Sequence, residues 1–124
     1  LSVDVGKRYL LGARNLPTGK TEQVRIVNQP IAEVDWDDCF HGEGPLTAVY
    51  SAGEKGVRLE MGDGLNWVQM FTPADFPRAG GPGKALAVEP MSAPPNALRS
   101  GEDLVRLSAQ NPQRFTLRLA AENQ

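Results

Sequence analysis

The chain has 124 residues, with 13 Lys or Arg against 15 Asp or Glu and a formal net charge of −2. That length suffices for one modest domain with its own core, and the charge balance does not call for nucleic acid or an anionic membrane surface as partner. The single cysteine, Cys39, excludes an intramolecular disulfide and fits a reducing, cytoplasmic setting, and no apolar run approaches the ~20 residues of a membrane span.

Thirteen glycines and ten prolines punctuate short apolar runs, which predicts an all-β chain. "LSVDV" at 1–5 alternates like a strand, and a chain that opens mid-pattern without a methionine reads as part of something longer. "QVRIV" at 23–27 alternates around Ile26. The stretch "VDWDDCFHGEG" at 34–44 gathers Asp35, Asp37, Asp38, His41 and Glu43 and reads first as a loop, because Asp and Gly favour turns. "LTAVYS" at 46–51 and "GVRLEM" at 56–61 flank the turn formers "AGEKG" and predict a hairpin. "LNWVQMFT" at 65–72 is apolar on both faces and predicts a central buried strand. "KALAVE" at 84–89 and "RFTLRL" at 114–119 complete the strands, the latter with Phe115, Leu117 and Leu119 on one face. Between them "SGEDL" at 100–104 suggests a short helix or turn capped by Ser100, with Asp103 three residues on. Many short strands with turn signals between them predict an antiparallel β-sandwich.

Few motifs carry chemistry unaided. The acidic stretch could supply oxygen ligands to a hard metal, but its spacing is not that of an EF-hand loop. Cys39 and His41 are too few for zinc. As a nucleophilic pair two residues apart they lack an orienting third group. "PTGK" at 17–20 lacks the rest of a phosphate loop. Trp36, Trp67 and Phe71 could stack on a sugar ring or fill a core.

The segment "AVEPMSAPPNAL" at 87–98 is more pointed. An apolar strand ends on Glu89, and Pro90, having no N–H, is expected to stop strand pairing there. Pro94-Pro95 then keeps the chain extended and stiff. Period-two counting places Ala85, Ala87 and Glu89 on one side and Leu86 and Val88 on the other. The Ala/Ala/Glu side suits a shallow ligand surface ending in a carboxylate, and equally a closely packed neighbouring strand.

With these residues assembled, the chain resembles the aldose 1-epimerase, or galactose mutarotase-like, family. "ALAVEPMSAPPNALRSGEDLVRL" is similar to that family's late segment, a strand ending in Glu followed by Pro-Asp/Asn-Ala and a Gly-containing turn. "YLLGARNLPTGK", "WDDCF" and "GLNWVQMFT" resemble its Leu-Pro-Thr-Gly, Asp-His/Asp-x-Phe and Trp-x-Gln-x-Tyr/Phe-Thr passages, in order. The resemblance implies that residues 1–124 form the C-terminal part of one large antiparallel supersandwich domain. It implies a monosaccharide substrate, no cofactor and no metal, with the N-terminal half of the same protein or a dimer partner completing the structure. Glu89 matches the general base and Asp37 a substrate-binding aspartate. The family's histidines, one of them the general acid, lie upstream of these residues, and His41 matches neither.

The implied reaction interconverts the α and β anomers of a free hexose. A base takes the proton of the C1 hydroxyl while an acid protonates the ring oxygen; the ring opens, C1–C2 rotates, and closure occurs on the other face. A carboxylate at a rigid strand end is suited to the first task. Because the matched acid is absent, the 124 residues alone are expected to be inactive. A non-catalytic carbohydrate-binding relative and a β-sandwich interaction module are the alternatives.

Overall fold

Alternating side chains from two sheets meet in one core. The computed structural model describes residues 1–123. One sheet contains, in spatial order, β1 (Ser2–Val3), β5 (Leu46–Ala52), β6 (Lys55–Met61) and β9 (Leu117–Asn123). The other contains β3 (Pro17–Gln23), β2 (Lys7–Leu11), β4 (Asp37–His41), β7 (Trp67–Phe71) and β8 (Ala87–Met91). The pairs within both sheets are antiparallel. The protein is therefore an all-β antiparallel sandwich. The one α-helix among the described residues, α1, is the single turn Ala97–Ser100, and no helix among them is long and apolar enough to cross a membrane.

Phe40, Val68 and Met70 of the five-stranded sheet pack into one cluster with Leu46, Ala48 and Met61 of the four-stranded sheet. Val3, Val5 and Ile26 close one end of it. Burying a side chain such as Phe40 or Leu46 contributes about 1.5–3 kcal/mol relative to leaving it exposed, so this cluster sets the sheet-on-sheet register. The expected hairpin forms as β5 and β6, joined through Gly53, whose φ of 62° supplies the left-handed turn residue. β7 is central, with Trp67, Val68 and Met70 buried.

Three expectations are corrected. The acidic stretch is not a loop: its residues 37–41 form β4, paired on both sides, because Cys39 and Phe40 gain more from burial than the aspartates lose. "QVRIV" is not a strand. The strand lies upstream as exposed β3, including "PTGK", while Ile26 reaches the core through an isolated bridge to Val3. Pro90 does not stop pairing: β8 runs on to Met91, with Pro90 opposite Val68. A proline is tolerated there because β8 is an edge strand. The stretch "SGEDL" forms a turn just after α1, in which the Leu104 N–H donates to Gly101 O at 3.3 Å and the Ser100 hydroxyl accepts the Glu102 N–H at 3.2 Å.

"RFTLRL" forms a strand only from Leu117. By register Leu117 and Leu119 stand beside Met61 and Leu59, yet they are 57% and 72% exposed. The four-stranded sheet thus presents core-type residues that the other sheet does not cover. Two clefts follow this seam between β8 and β9: one of about 420 Å³ beside Val57, Val88 and Leu119, the other of about 510 Å³ beside Pro90, Phe115 and Leu117.

Candidate functional site

The outward face of the five-stranded sheet carries the polar groups. Alternation sends Asp37, Cys39 and His41 of β4 to the side opposite Phe40. Tyr9, Cys39, Gln69 and Glu89 then align in one row across β2, β4, β7 and β8. Lys7, His41 and Trp67 form the next row, and Asp37, Phe71 and Ala87 the row on the other side. With strands ~4.8 Å apart and ~3.3 Å per residue, the Asp37 and Glu89 backbones lie roughly 12 Å apart on one surface. The sheet therefore brings both sequence-predicted site residues to one face.

Asp37 is held in place. Its Oδ1 accepts from Gln69 Nε2 at 2.9 Å and its Oδ2 from Asn15 Nδ2 at 2.7 Å. Asn15 reaches it from the turn between β2 and β3 with a left-handed φ of 54°. Glu89 is exposed and has no hydrogen-bond or ion-pair partner among the described residues. Between the two carboxylates, Gln69 Oε1 is buried with no partner. An orphan acceptor of this kind costs about 1–3 kcal/mol, a local rule-breaking that functional sites often carry.

The three aromatics separate. Trp36 meets Phe40 edge-on at 5.5 Å on the core side. Trp67, 1% exposed, lies 4.6 Å from the Tyr9 ring and 4.5 Å from that of His41. Its indole N–H donates to Asp103 Oδ2 at 2.8 Å, so the turn after α1 caps it. Phe71, beside Asp37, is the exposed one. Of the three, Phe71 alone offers a stacking surface on this face.

Burial pushes the Tyr9 phenol up, helped by the charges of Glu102 and Asp103. Burial likewise pushes the Cys39 thiol up to about 12, with Glu102 and Asp38 adding to it. Cys39 and His41 do share a face, but a thiol so poised stays protonated at neutral pH and is no nucleophile. The acidic stretch does not gather around a cation. Asp38 turns away to Arg8 at 3.2 Å, and Asp35 pairs with Lys84 at 3.0 Å. Among the described residues no group of three or more His, Cys, Asp or Glu could hold a metal ion.

Sequence reasoning did not single out Tyr9, Gln69 or Glu102. Gln69 had a signal, being the one polar residue inside "WVQMF". Tyr9 and Glu102 had none, since only the register of β2 and the path after α1 bring them near.

No family model and no solved structure matches this sandwich. Among curated proteins, 49 residues are 47% identical to the uncharacterized protein YihR of Escherichia coli (strain K12). That stretch is 40% of this chain and spans 14% of the length of YihR.

Proposed function

We propose that these residues are the C-terminal part of an aldose 1-epimerase-like protein that interconverts the anomers of a free hexose in the cytoplasm. One observation carries the reading: Glu89 in the middle of β8, the amide Gln69 and the anchored Asp37 share one open face. In this reading Glu89 takes the C1 hydroxyl proton, Asp37 accepts from sugar hydroxyls, and Phe71 offers its ring to the sugar. No cofactor takes part. The acid for the ring oxygen comes from the remainder of the protein or a dimer partner, which also covers the apolar seam along β9.

The test is polarimetry on freshly dissolved α-glucose or α-galactose. The 124 residues alone should show the buffer rate, and the protein joined to its missing half should exceed it. Acceleration by the 124 residues that disappears on changing His41 would overturn the assignment of the acid.

The amide, not an acid, opposite Glu89 favours a second reading, in which the same face binds carbohydrate without turning it over. Sugar binding with no rate enhancement in the complete protein would select it. Absence of sugar binding would leave an interaction module built on the apolar seam.

A further inference from the structure

We infer that Glu102, on the turn after α1, is a further sugar-binding carboxylate, accepting the hydroxyl at the end of the ring opposite C1. The inference rests on the mutarotase-like reading and adds a residue and a specificity to it. The turn that carries Glu102 is fastened to the sheet: Asp103 Oδ2 accepts the Trp67 indole N–H at 2.8 Å. Asp103 holds a left-handed φ of 49° there, a conformation that persists outside glycine where the surroundings impose it. Trp67 is two residues before Gln69 on the same side of β7, so the fastening lies beside the amide at the centre of the sugar face.

The turn brings Glu102 over the two members of the central row that lie away from Glu89. Its carboxylate is near enough to the Tyr9 phenol and the Cys39 thiol for its charge to push both upward. Cys39 stands directly opposite Gln69, and Gln69 directly opposite Glu89. Glu102 and Glu89 therefore flank Gln69 from its two sides, over two strand spacings, or roughly 10 Å, of sheet. Glu102 is exposed and has no ion-pair partner among the described residues. The group its carboxylate meets is the neutral Tyr9 phenol, so its charge is uncompensated.

The free groups around Gln69 are acceptors, which is the second observation. Gln69 Nε2 is spent on Asp37 at 2.9 Å, leaving its buried Oε1 without a partner, and Glu89 and Glu102 bring carboxylates on either side. Such a surface is satisfied by a ligand that carries hydroxyl donors at both ends. A pyranose lying over Gln69 does so: its C1 hydroxyl donates to Glu89, and its C4 hydroxyl, at the far end of the ring, donates to Glu102. The turn also stops the ring from sliding toward β2, so it is the wall against which the C4 end is held. Hydrogen bonds to a carboxylate are the strong kind, which makes the C4 hydroxyl a determinant of affinity.

Affinity and turnover of the complete protein with glucose and 4-deoxyglucose test this. The wild type should bind glucose about tenfold or more tighter than 4-deoxyglucose. In Glu102→Ala that ratio should fall to near one, with Glu102→Gln between the two, KM for glucose rising and kcat holding. The control Glu54→Gln, in the turn between β5 and β6, should keep the wild-type ratio. Asp103→Ala releases the Trp67 indole and with it the turn, so it should lower the ratio as well. Because Asp103 acts through Glu102, the two alanine changes combined should be no worse than Glu102→Ala alone. A wild-type ratio in a Glu102→Ala protein that keeps its Trp67 indole resonance overturns the inference and leaves the sugar reading standing. A ratio lost in Asp103→Ala but kept in Glu102→Ala also overturns it. Binding of neither sugar by the wild type overturns the sugar reading and the inference with it.

Discussion

At the scale of single residues, the two carboxylates of the face should fail differently. Glu89→Gln keeps volume and most hydrogen bonding, so the complete protein should fold and bind sugar while turnover drops ~10²–10⁴-fold. Asp37→Asn should mainly weaken binding, because Asp37 is already committed to Gln69 and Asn15 and acts by position. Turnover, sugar affinity and melting temperature measured together separate these outcomes; wild-type turnover in a folded Glu89→Gln protein removes the base. Cys39 gives a second prediction. Its folded pKa, about 12, exceeds the ordinary value of 9.0. The unfolded chain therefore releases this proton first as pH rises. The stabilisation is whole below pH 9 and is lost as pH climbs toward 12, with Tyr9 acting in the same direction. Denaturant melts of wild type and Cys39→Ala between pH 7 and the alkaline limit should show a steeper decline in the wild type. Glu89 could be read in the sequence because it is the one charged residue in the otherwise apolar run of β8. The support around Asp37 could not, since Asn15 and Gln69 reach it from 22 and 32 positions away.

Among the elements, the legible ones were those with one clear local signal. The β5–β6 hairpin follows from alternation and turn chemistry, and the buried β7 from a run that is apolar on both faces. β4 was hidden because its five residues mix two aspartates and a histidine with Cys39 and Phe40, so composition argued for a loop while burial on both faces made a strand. β8 was shortened by a rule about proline that holds for central strands and not for edges. The end of β4 supplies a test. Gly42 follows His41, is buried, and donates its N–H to Asn66 O at 3.1 Å. A Cβ there would run into the Asp4 carbonyl and the Leu46 side chain. Gly42→Ala should therefore cost about 1–3 kcal/mol through overpacking, read as a lower melting temperature. A neutral result would mean that the junction between β1 and β4 yields more easily than its packing implies.

For the whole molecule, the uncovered stripe on β6 and β9 governs behaviour in solution. Leu117 and Leu119 are exposed, so changing both to Lys should alter the stability of these 124 residues by no more than ~0.5 kcal/mol per site. The same change should abolish assembly with the remainder of the protein or with a second copy, and should lower dye binding to exposed apolar surface. Gel filtration and amide exchange measure this directly; a monomer with Leu117 and Leu119 protected from the start would contradict it. The two strands that flank the seam are not equivalent, and Pro90 is the reason. Antiparallel pairs alternate between hydrogen-bonded and non-hydrogen-bonded positions. Having no N–H to give Val68, Pro90 belongs to the second kind, with its ring nitrogen aimed at the free margin of β8. A strand arriving there meets a missing donor at the fourth position of a five-residue ladder. β9 offers seven residues without a proline. The molecule is accordingly a sheet with a direction of growth: new backbone can zip onto the four-stranded layer, while the five-stranded layer ends at its proline.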